Sequence, residues 1–135
     1  MAEKFVGKWN FVESENIDDF MKQVGVSLAL RTIVAKLKPV LEVTVNGNHC
    51  KLVSTSTFKT IVTEFELGVE FDEETPFGPK MKTTFTLENG KLIKVQNPVS
   101  AGDKATRTES YVEGDNFIME MECEGVKAKR IFTRA

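Results

Sequence analysis

The sequence predicts an all-β protein: a ten-stranded antiparallel up-and-down barrel, or clam, with a helix–turn–helix lid between its first and second strands. Three observations lead there. Turn signals recur at a spacing of about ten residues after Pro39, the pattern of a meander. The segments between them alternate apolar and polar with a period of two, as half-buried strands do. The helical period of 3.6 surfaces only between Asn16 and Pro39, in two short adjacent segments. Two short helices cannot cover a sheet of ten strands, so the sheet must close on itself to hide its edges and its apolar face. A barrel of that width encloses more space than side chains fill, which predicts a cavity with the helix pair as its lid.

In chain order, Phe5, Gly7, Trp9 and Phe11 share one parity and mark the first strand. Asn16 is placed to cap a helix whose first turn holds Asp18 and Asp19. Ile17, Phe20, Met21 and Val24 fall on one face of it, and Gly25 ends it. Ser27 opens a second helix with the apolar stripe Leu30, Ile33, Val34 and Leu37, and Pro39 stops it. Nine strands follow. Leu41, Val43 and Val45 oppose Glu42 and Thr44; Ile61, Thr63, Phe65 and Leu67 oppose Val62, Glu64 and Glu66. Met81, Thr83, Phe85 and Leu87 oppose Lys80, Lys82, Thr84 and Glu88, and Phe117, Met119, Met121 and Cys123 oppose Ile118, Glu120 and Glu122. The turns include Asn46-Gly47-Asn48, Gly68, Pro76-Phe77-Gly78-Pro79, Asn89-Gly90, Gly114-Asp115 and Gly125.

Composition narrows the function. The 135 residues suffice for one domain, 1–135, with a core. A net charge of −2, with both signs interspersed, gives no whole-chain bias toward nucleic acid. The N-terminal residues lack the apolar run of a signal peptide, and no segment reaches the roughly 20 apolar residues of a spanning helix. Cys50 and Cys123 are read as free thiols in a reducing compartment, so the expected location is cytoplasmic. Ten phenylalanines against one tryptophan and one tyrosine fit either a Phe-rich core or an aromatic-lined apolar cavity.

The inward parity is not uniformly apolar. Thr106, Thr108 and Ser110 face in while Arg107, Glu109 and Tyr111 face out. Glu73 shares the parity of Val69 and Phe71; Gln96 shares that of Leu92, although Ile93 and Val95 on the other parity blur the assignment. A dry core tolerates few such groups, whereas a cavity holding water satisfies them. On the last strand, Lys127 and Lys129 mark the solvent side and Arg130 falls with Val126, Ala128 and Phe132 on the apolar side. A guanidinium keeps its proton, so inside a protein it needs an anion, carbonyls or water. Two readings are open: an internal salt bridge with Glu73 or a water-bound arginine, and a receptor for the carboxylate of an amphiphile whose tail lies against Phe, Met and Val side chains.

These residues resemble the cytosolic fatty-acid-binding proteins, within the intracellular lipid-binding proteins, over essentially the whole chain. The match runs through Gly7-Lys8-Trp9-Asn10-Phe11 and Glu15-Asn16-Ile17-Asp18-Asp19-Phe20-Met21. It continues through Ser56-Thr57-Phe58-Lys59, Phe65 to Glu73, and Glu124-Gly125-Val126 to Arg130-Ile131-Phe132. The resemblance implies non-covalent binding and intracellular transport of one or two long-chain fatty acids by a monomer without cofactor. It implies a carboxylate site of two arginines and a tyrosine. Arg130 matches one arginine; Phe132 stands at the tyrosine position and Ser110 at the other arginine. Arg130 with Ser110 and water is therefore the expected head-group site. Phe58 matches an aromatic portal gate, Ile17 and Met21 match lid residues that touch the tail, and Met119 joins the expected lining. Phe77 adds a phenylalanine to the portal turn, or simply packs in the loop.

Arg31, Lys36 and Lys38 on the second helix admit two readings, a solvated charged face or transient contact of residues 27–38 with anionic membranes. An enzyme is not expected. The single histidine, His49, falls at a strand start facing solvent, no phosphate loop occurs, and two cysteines without a histidine cluster make no metal site. The alternative is a carrier of another hydrophobic ligand, such as a retinoid, a bile acid or an acyl-CoA.

Overall fold

A computed structural model describes residues 2–75 and 78–135. Phe77, one of the expected portal residues, lies outside the described residues. After a short 3-10 turn, Glu3–Phe5, come β1 (Gly7–Glu15), α1 (Ile17–Val24) and α2 (Leu28–Val34). Then β2 (Val40–Asn46), β3 (His49–Thr55), β4 (Thr60–Glu66), β5 (Phe71–Glu74) and β6 (Lys80–Glu88) follow, and β7 (Lys91–Pro98), β8 (Thr106–Glu113), β9 (Asn116–Cys123) and β10 (Val126–Arg134) complete the chain. All ten strands form one antiparallel sheet in the order β4-β3-β2-β1-β10-β9-β8-β7-β6-β5. The two ends of the chain thus meet at the middle of the sheet, through β1 and β10, and the sheet curls until β4 faces β5.

No ladder joins β4 to β5, and aromatic packing takes its place. Phe65 of β4 stacks on Phe85 of β6 with ring centroids 3.7 Å apart, and Phe71 of β5 lies parallel to Phe85 at 6.2 Å. The Gly68 N–H, in the β4–β5 turn, donates to the Phe85 carbonyl of β6 at 2.7 Å. The other end of the barrel is filled by Phe5, Trp9 and Phe117 in edge-to-face contacts at 5.4 and 5.3 Å. Such rings bury large area without a polar atom to satisfy, save the indole N–H, which donates to the Phe5 carbonyl at 2.9 Å. Arg134 closes that end. Its guanidinium lies 4.2 Å from the Trp9 ring and donates to the carbonyls of Val6 and Lys4.

The period-two reading holds in most strands. Leu41 and Val43 are buried between exposed Glu42 and Thr44, and Met81, Thr83 and Phe85 are buried on one face of β6. Ile118 is buried despite its outward parity, because it stands in register between Tyr111 and Ile131 on the outer face. In β1 the register slips between Phe11 and Glu13, a bulge that leaves Val12 exposed and puts Ser14 opposite Arg130.

The lid differs from its expected form at two points. Asn16 does not cap α1. Its backbone is left-handed (φ 56°), whereas a cap needs extended backbone to aim its side chain at the first turn. The Asn16 amide instead donates to the Lys127 carbonyl at 2.8 Å and pins the start of α1 to β10. The second helix stops at Val34 rather than running to Pro39. Lys36 and Leu37 bond to the carbonyls of Ile33 and Val34 in tight i→i+3 turns, the form a chain takes when the residue before proline is barred from helix. Ser27 caps α2 as expected, and Gly25 (φ 106°) ends α1. Met21, Val26 and Val34 pack with Ile17, Phe20 and Leu30 into a small core of the lid itself.

His49 faces solvent between two carboxylates, with Nδ1 2.9 Å from Glu66 Oε1 and Nε2 3.0 Å from Glu64 Oε2. Hydrogen bonding to Glu66, then to Glu64, raises its pKa above the ordinary 6.5. A raised value in the folded state means that the bridge contributes stability fully below the unfolded pKa and loses it as pH rises through the folded one. An NMR titration of the His49 ring should show a midpoint above 6.5 that falls in Glu66→Gln. An unchanged midpoint in that variant contradicts the bridge.

Candidate functional site

The curled sheet and the lid enclose a cavity of about 320 Å³. Its roof is α1 and the lid core: Ile17, Phe20, Met21, Val24, Val26 and Val34. The i, i+3, i+4, i+7 spacing of the first four puts them on one helix face, and that face points into the barrel. Met81, Phe85, Leu92, Met119 and Met121 continue the apolar wall. The opposite character comes from Glu73, Lys94, Gln96, Thr106, Thr108, Ser110 and Arg130.

Arg130 stands on β10, paired with Met119 on β9. Among the described residues it has no hydrogen bond and no ion pair, and its Nε is buried without a partner. Its guanidinium lies over two rings, 5.1 Å from the centroid of Phe11 and 5.6 Å from that of Phe132. Aromatic faces attract a desolvated cation but accept no proper hydrogen bond. Burial draws its pKa below the usual arginine value.

The internal salt bridge to Glu73, one of the two readings open from sequence, is not formed. Glu73 is engaged elsewhere. Its Oε1 accepts from Thr83 Oγ1 and from Gln96 Nε2, both at 2.8 Å, and its Oε2 lies 3.5 Å from Lys94 Nζ. Gln96 in turn accepts from Thr106 Oγ1 at 2.6 Å. The chain Thr106–Gln96–Glu73–Thr83 ties β8, β7, β5 and β6 together from inside, so these buried polar groups are satisfied by one another. A carboxylate held by three neighbours is not free to cross the barrel to an arginine.

Of the residues singled out from sequence, Arg130, Ser110, Glu73, Gln96, Met119, Ile17 and Met21 all meet on the wall of this cavity. Phe132 does not: it is buried in the aromatic core with Phe117 and meets the site through the Arg130 guanidinium, 5.6 Å from its ring centroid. Phe58 sits in the β3–β4 turn, 44% exposed and off the cavity wall. Gln96 resolves as inward, with Leu92 and Lys94, and Ile93 and Val95 lie on the outer parity. Lys94 is the residue that sequence reading missed. Its signal was the Leu92-Lys94-Gln96 parity, hidden by the apolar pair Ile93 and Val95 on the alternate positions. Arg31 also departs from its expected place on a free basic face, because it donates to Asp18 Oδ1 at 3.0 Å and to the Val26 carbonyl at 2.7 Å and so locks α2 to α1.

A barrel of this topology, with a lidded cavity and one internal arginine on its last strand, can be compared with known proteins. The family model described as lipocalin / cytosolic fatty-acid binding protein matches residues 6–135. The chain belongs to that family. Fatty acid-binding protein homolog 5 of Caenorhabditis elegans is 44% identical over 133 residues, covering 98% of both chains. The crystal structure of the apo form of Caenorhabditis elegans lipid binding protein 8 superposes with a TM-score of 0.95 at 27% identity, over 100% of this chain and 98% of that one. A Schistosoma mansoni fatty acid binding protein in complex with arachidonic acid superposes with a TM-score of 0.91 at 32% identity, over 99% and 98%. Members of the family are binding proteins rather than enzymes. Among the described residues no helix is long and apolar enough to cross a membrane.

An arginine in this position costs the empty fold its desolvation without a partner to offset it. Arg130→Leu should therefore stabilise the delipidated protein, by roughly 1–4 kcal/mol, the range seen when buried ionic groups give way to apolar ones of similar volume. Chemical denaturation of both forms reads this directly, and a destabilised variant would show that the guanidinium has a structural partner.

Proposed function

We propose that the protein is an intracellular carrier that binds a long-chain fatty acid non-covalently in its cavity, as a monomer, with the carboxylate on Arg130. The observation that carries this is the unpartnered guanidinium at the wall of a largely apolar cavity. Arginine offers five donors in a fork that matches a carboxylate, and a low-dielectric surrounding strengthens the pairing. The names of the relatives, fatty acid-binding proteins at up to 44% identity over the whole chain, support the same ligand class. Ser110, register partner of Met119 beside Arg130, is placed to add a hydroxyl to the head group. Met119 and Met121, with Ile17, Phe20 and Met21 above, supply adaptable apolar surface for the chain. A retinoid, a bile acid or an acyl-CoA remains the alternative cargo, and an acyl-CoA head group is ill matched to a single buried arginine.

Lipid extracted from the purified protein and analysed by mass spectrometry should carry a carboxylate. Fatty-acid affinity should fall at least about tenfold in Arg130→Leu, since a hydrogen bond to a charged group contributes ~1.5–3 kcal/mol. Undiminished affinity in the variant would remove Arg130 as the anchor.

The lid favours delivery by contact with anionic membranes. Leu28 at the start of α2 is 67% exposed, and Lys36 and Lys38 follow on the exposed side of its C-terminal turn. An exposed apolar residue at one end of a helix with exposed lysines beyond the other suits the surface of an anionic bilayer. The transfer rate of a fluorescent fatty acid should rise with the concentration of phosphatidylserine vesicles and fall in Leu28→Ser; a rate independent of vesicle concentration excludes collisional delivery.

A further inference from the structure

The cavity has a second cation. Lys94 stands on β7, in register with Thr108 on β8, while Arg130 is linked through Met119 to Ser110, one inward position along the same strand. Strands β10, β9, β8 and β7 are successive neighbours. At ~4.8 Å per strand, Lys94 therefore lies about 14 Å from Arg130 measured around the wall. Between them the wall carries the hydroxyls of Thr108 and Ser110.

Lys94 is held, but loosely. Its Nζ lies 3.5 Å from Glu73 Oε2, beyond the ~2.7–2.9 Å of a charge-assisted hydrogen bond, and 5.5 Å from the centroid of the Phe85 ring. An ammonium has three donors. Glu73 Oε1 is already taken by Thr83 and Gln96, but Oε2 has only this long contact. Lys94 Nζ and Glu73 Oε2 thus face each other on the wall at a long ion-pair distance, and Thr108 stands in register with Lys94 on the neighbouring strand.

We propose that Lys94, Glu73 and Thr108 form a second polar subsite that recognises a hydroxyl part-way along the lipid chain, so that the preferred cargo is a hydroxylated long-chain fatty acid. The inference rests on the carboxylate-at-Arg130 reading above. A hydroxyl both accepts, from Lys94, and donates, to Glu73. A second carboxylate would meet the Glu73 charge. A plain methylene chain would strip water from Lys94 and Thr108 and return nothing, the condition under which a site built for a polar group discriminates against the analogue lacking it.

Ricinoleate and oleate share a chain and differ by one mid-chain hydroxyl. Their dissociation constants, measured by calorimetry on delipidated wild type, Lys94→Met and the double variant Glu73→Gln/Lys94→Met, test the subsite. The double variant removes the ion pair as a unit and keeps the test valid should Lys94→Met alone unfold. Wild type should prefer ricinoleate by about tenfold or more, and the preference should collapse toward unity in the folded variants. Oleate bound as tightly as ricinoleate by wild type, or a preference that persists in the variants, overturns the subsite and leaves the fatty-acid reading intact. Failure of wild type to bind either acid overturns both.

Discussion

A ten-stranded sheet curled onto itself encloses more volume than its own side chains occupy, and this excess is what the rest of the molecule is arranged around. The interior cannot be packed like an ordinary core. Aromatic residues therefore concentrate where packing is achievable. Phe5, Trp9 and Phe117 plug one end, and Phe65, Phe71 and Phe85 stack over the seam where β4 and β5 fail to pair. What remains in the middle is lined on one side by flexible methionines and on the other by hydroxyls, an amide, a carboxylate and two cations. Five of the ten phenylalanines, Phe5, Phe117, Phe65, Phe71 and Phe85, sit in these two closures, and of the residues lining the described cavity only Phe20 and Phe85 are phenylalanines.

Because the interior is open, polar side chains on inward parities are not errors to be neutralised one by one. Glu73, Gln96, Thr83 and Thr106 satisfy each other in a chain that crosses four strands. Arg130 stands outside that chain. The two differ physically: a satisfied network stiffens the wall, whereas an unpaired buried guanidinium keeps its desolvation cost. Sequence parity could place both kinds of group inside but could not distribute the partners among them, which depends on the register of β5 against β6 and β7.

Strand count, closure and the lid were legible because they rest on local signals: period-two alternation, glycine and asparagine turns, and one helix-period face from Ile17 to Val24. Most of the cavity wall was legible for the same reason. What was not legible depended on groups far apart in the chain. Asn16 has the residue type of a cap, yet the carbonyl of Lys127, remote in sequence, claims its amide. Arg31 has the look of a solvated charge, yet Asp18 and the Val26 carbonyl hold it. Phe132 shares the parity of Arg130 but lies in the aromatic core, because the register of β10 against β1 and β9 sets Phe11 and Phe117 on either side of it. In Lys94 the local signal misled outright, since two flanking aliphatic residues on the outer face mimic an inward pair.

These placements bear on how the arginine is used. The ring centroids of Phe11 and Phe132 lie 5.1 and 5.6 Å from the guanidinium carbon and 5.7 Å from each other, so both rings crowd one side of the group. An anion arriving from the cavity side would meet the fork, whose two parallel N–H groups match two carboxylate oxygens. Phe132 thus packs beside the cation without donating a hydrogen bond itself. In the proposed carrier Phe132 offers no hydroxyl, so fixing the head group would fall to the arginine and to Ser110. On that proposal, with fewer fixed donors at the head, discrimination between cargoes would move along the chain, toward the wall where Lys94 and Glu73 stand.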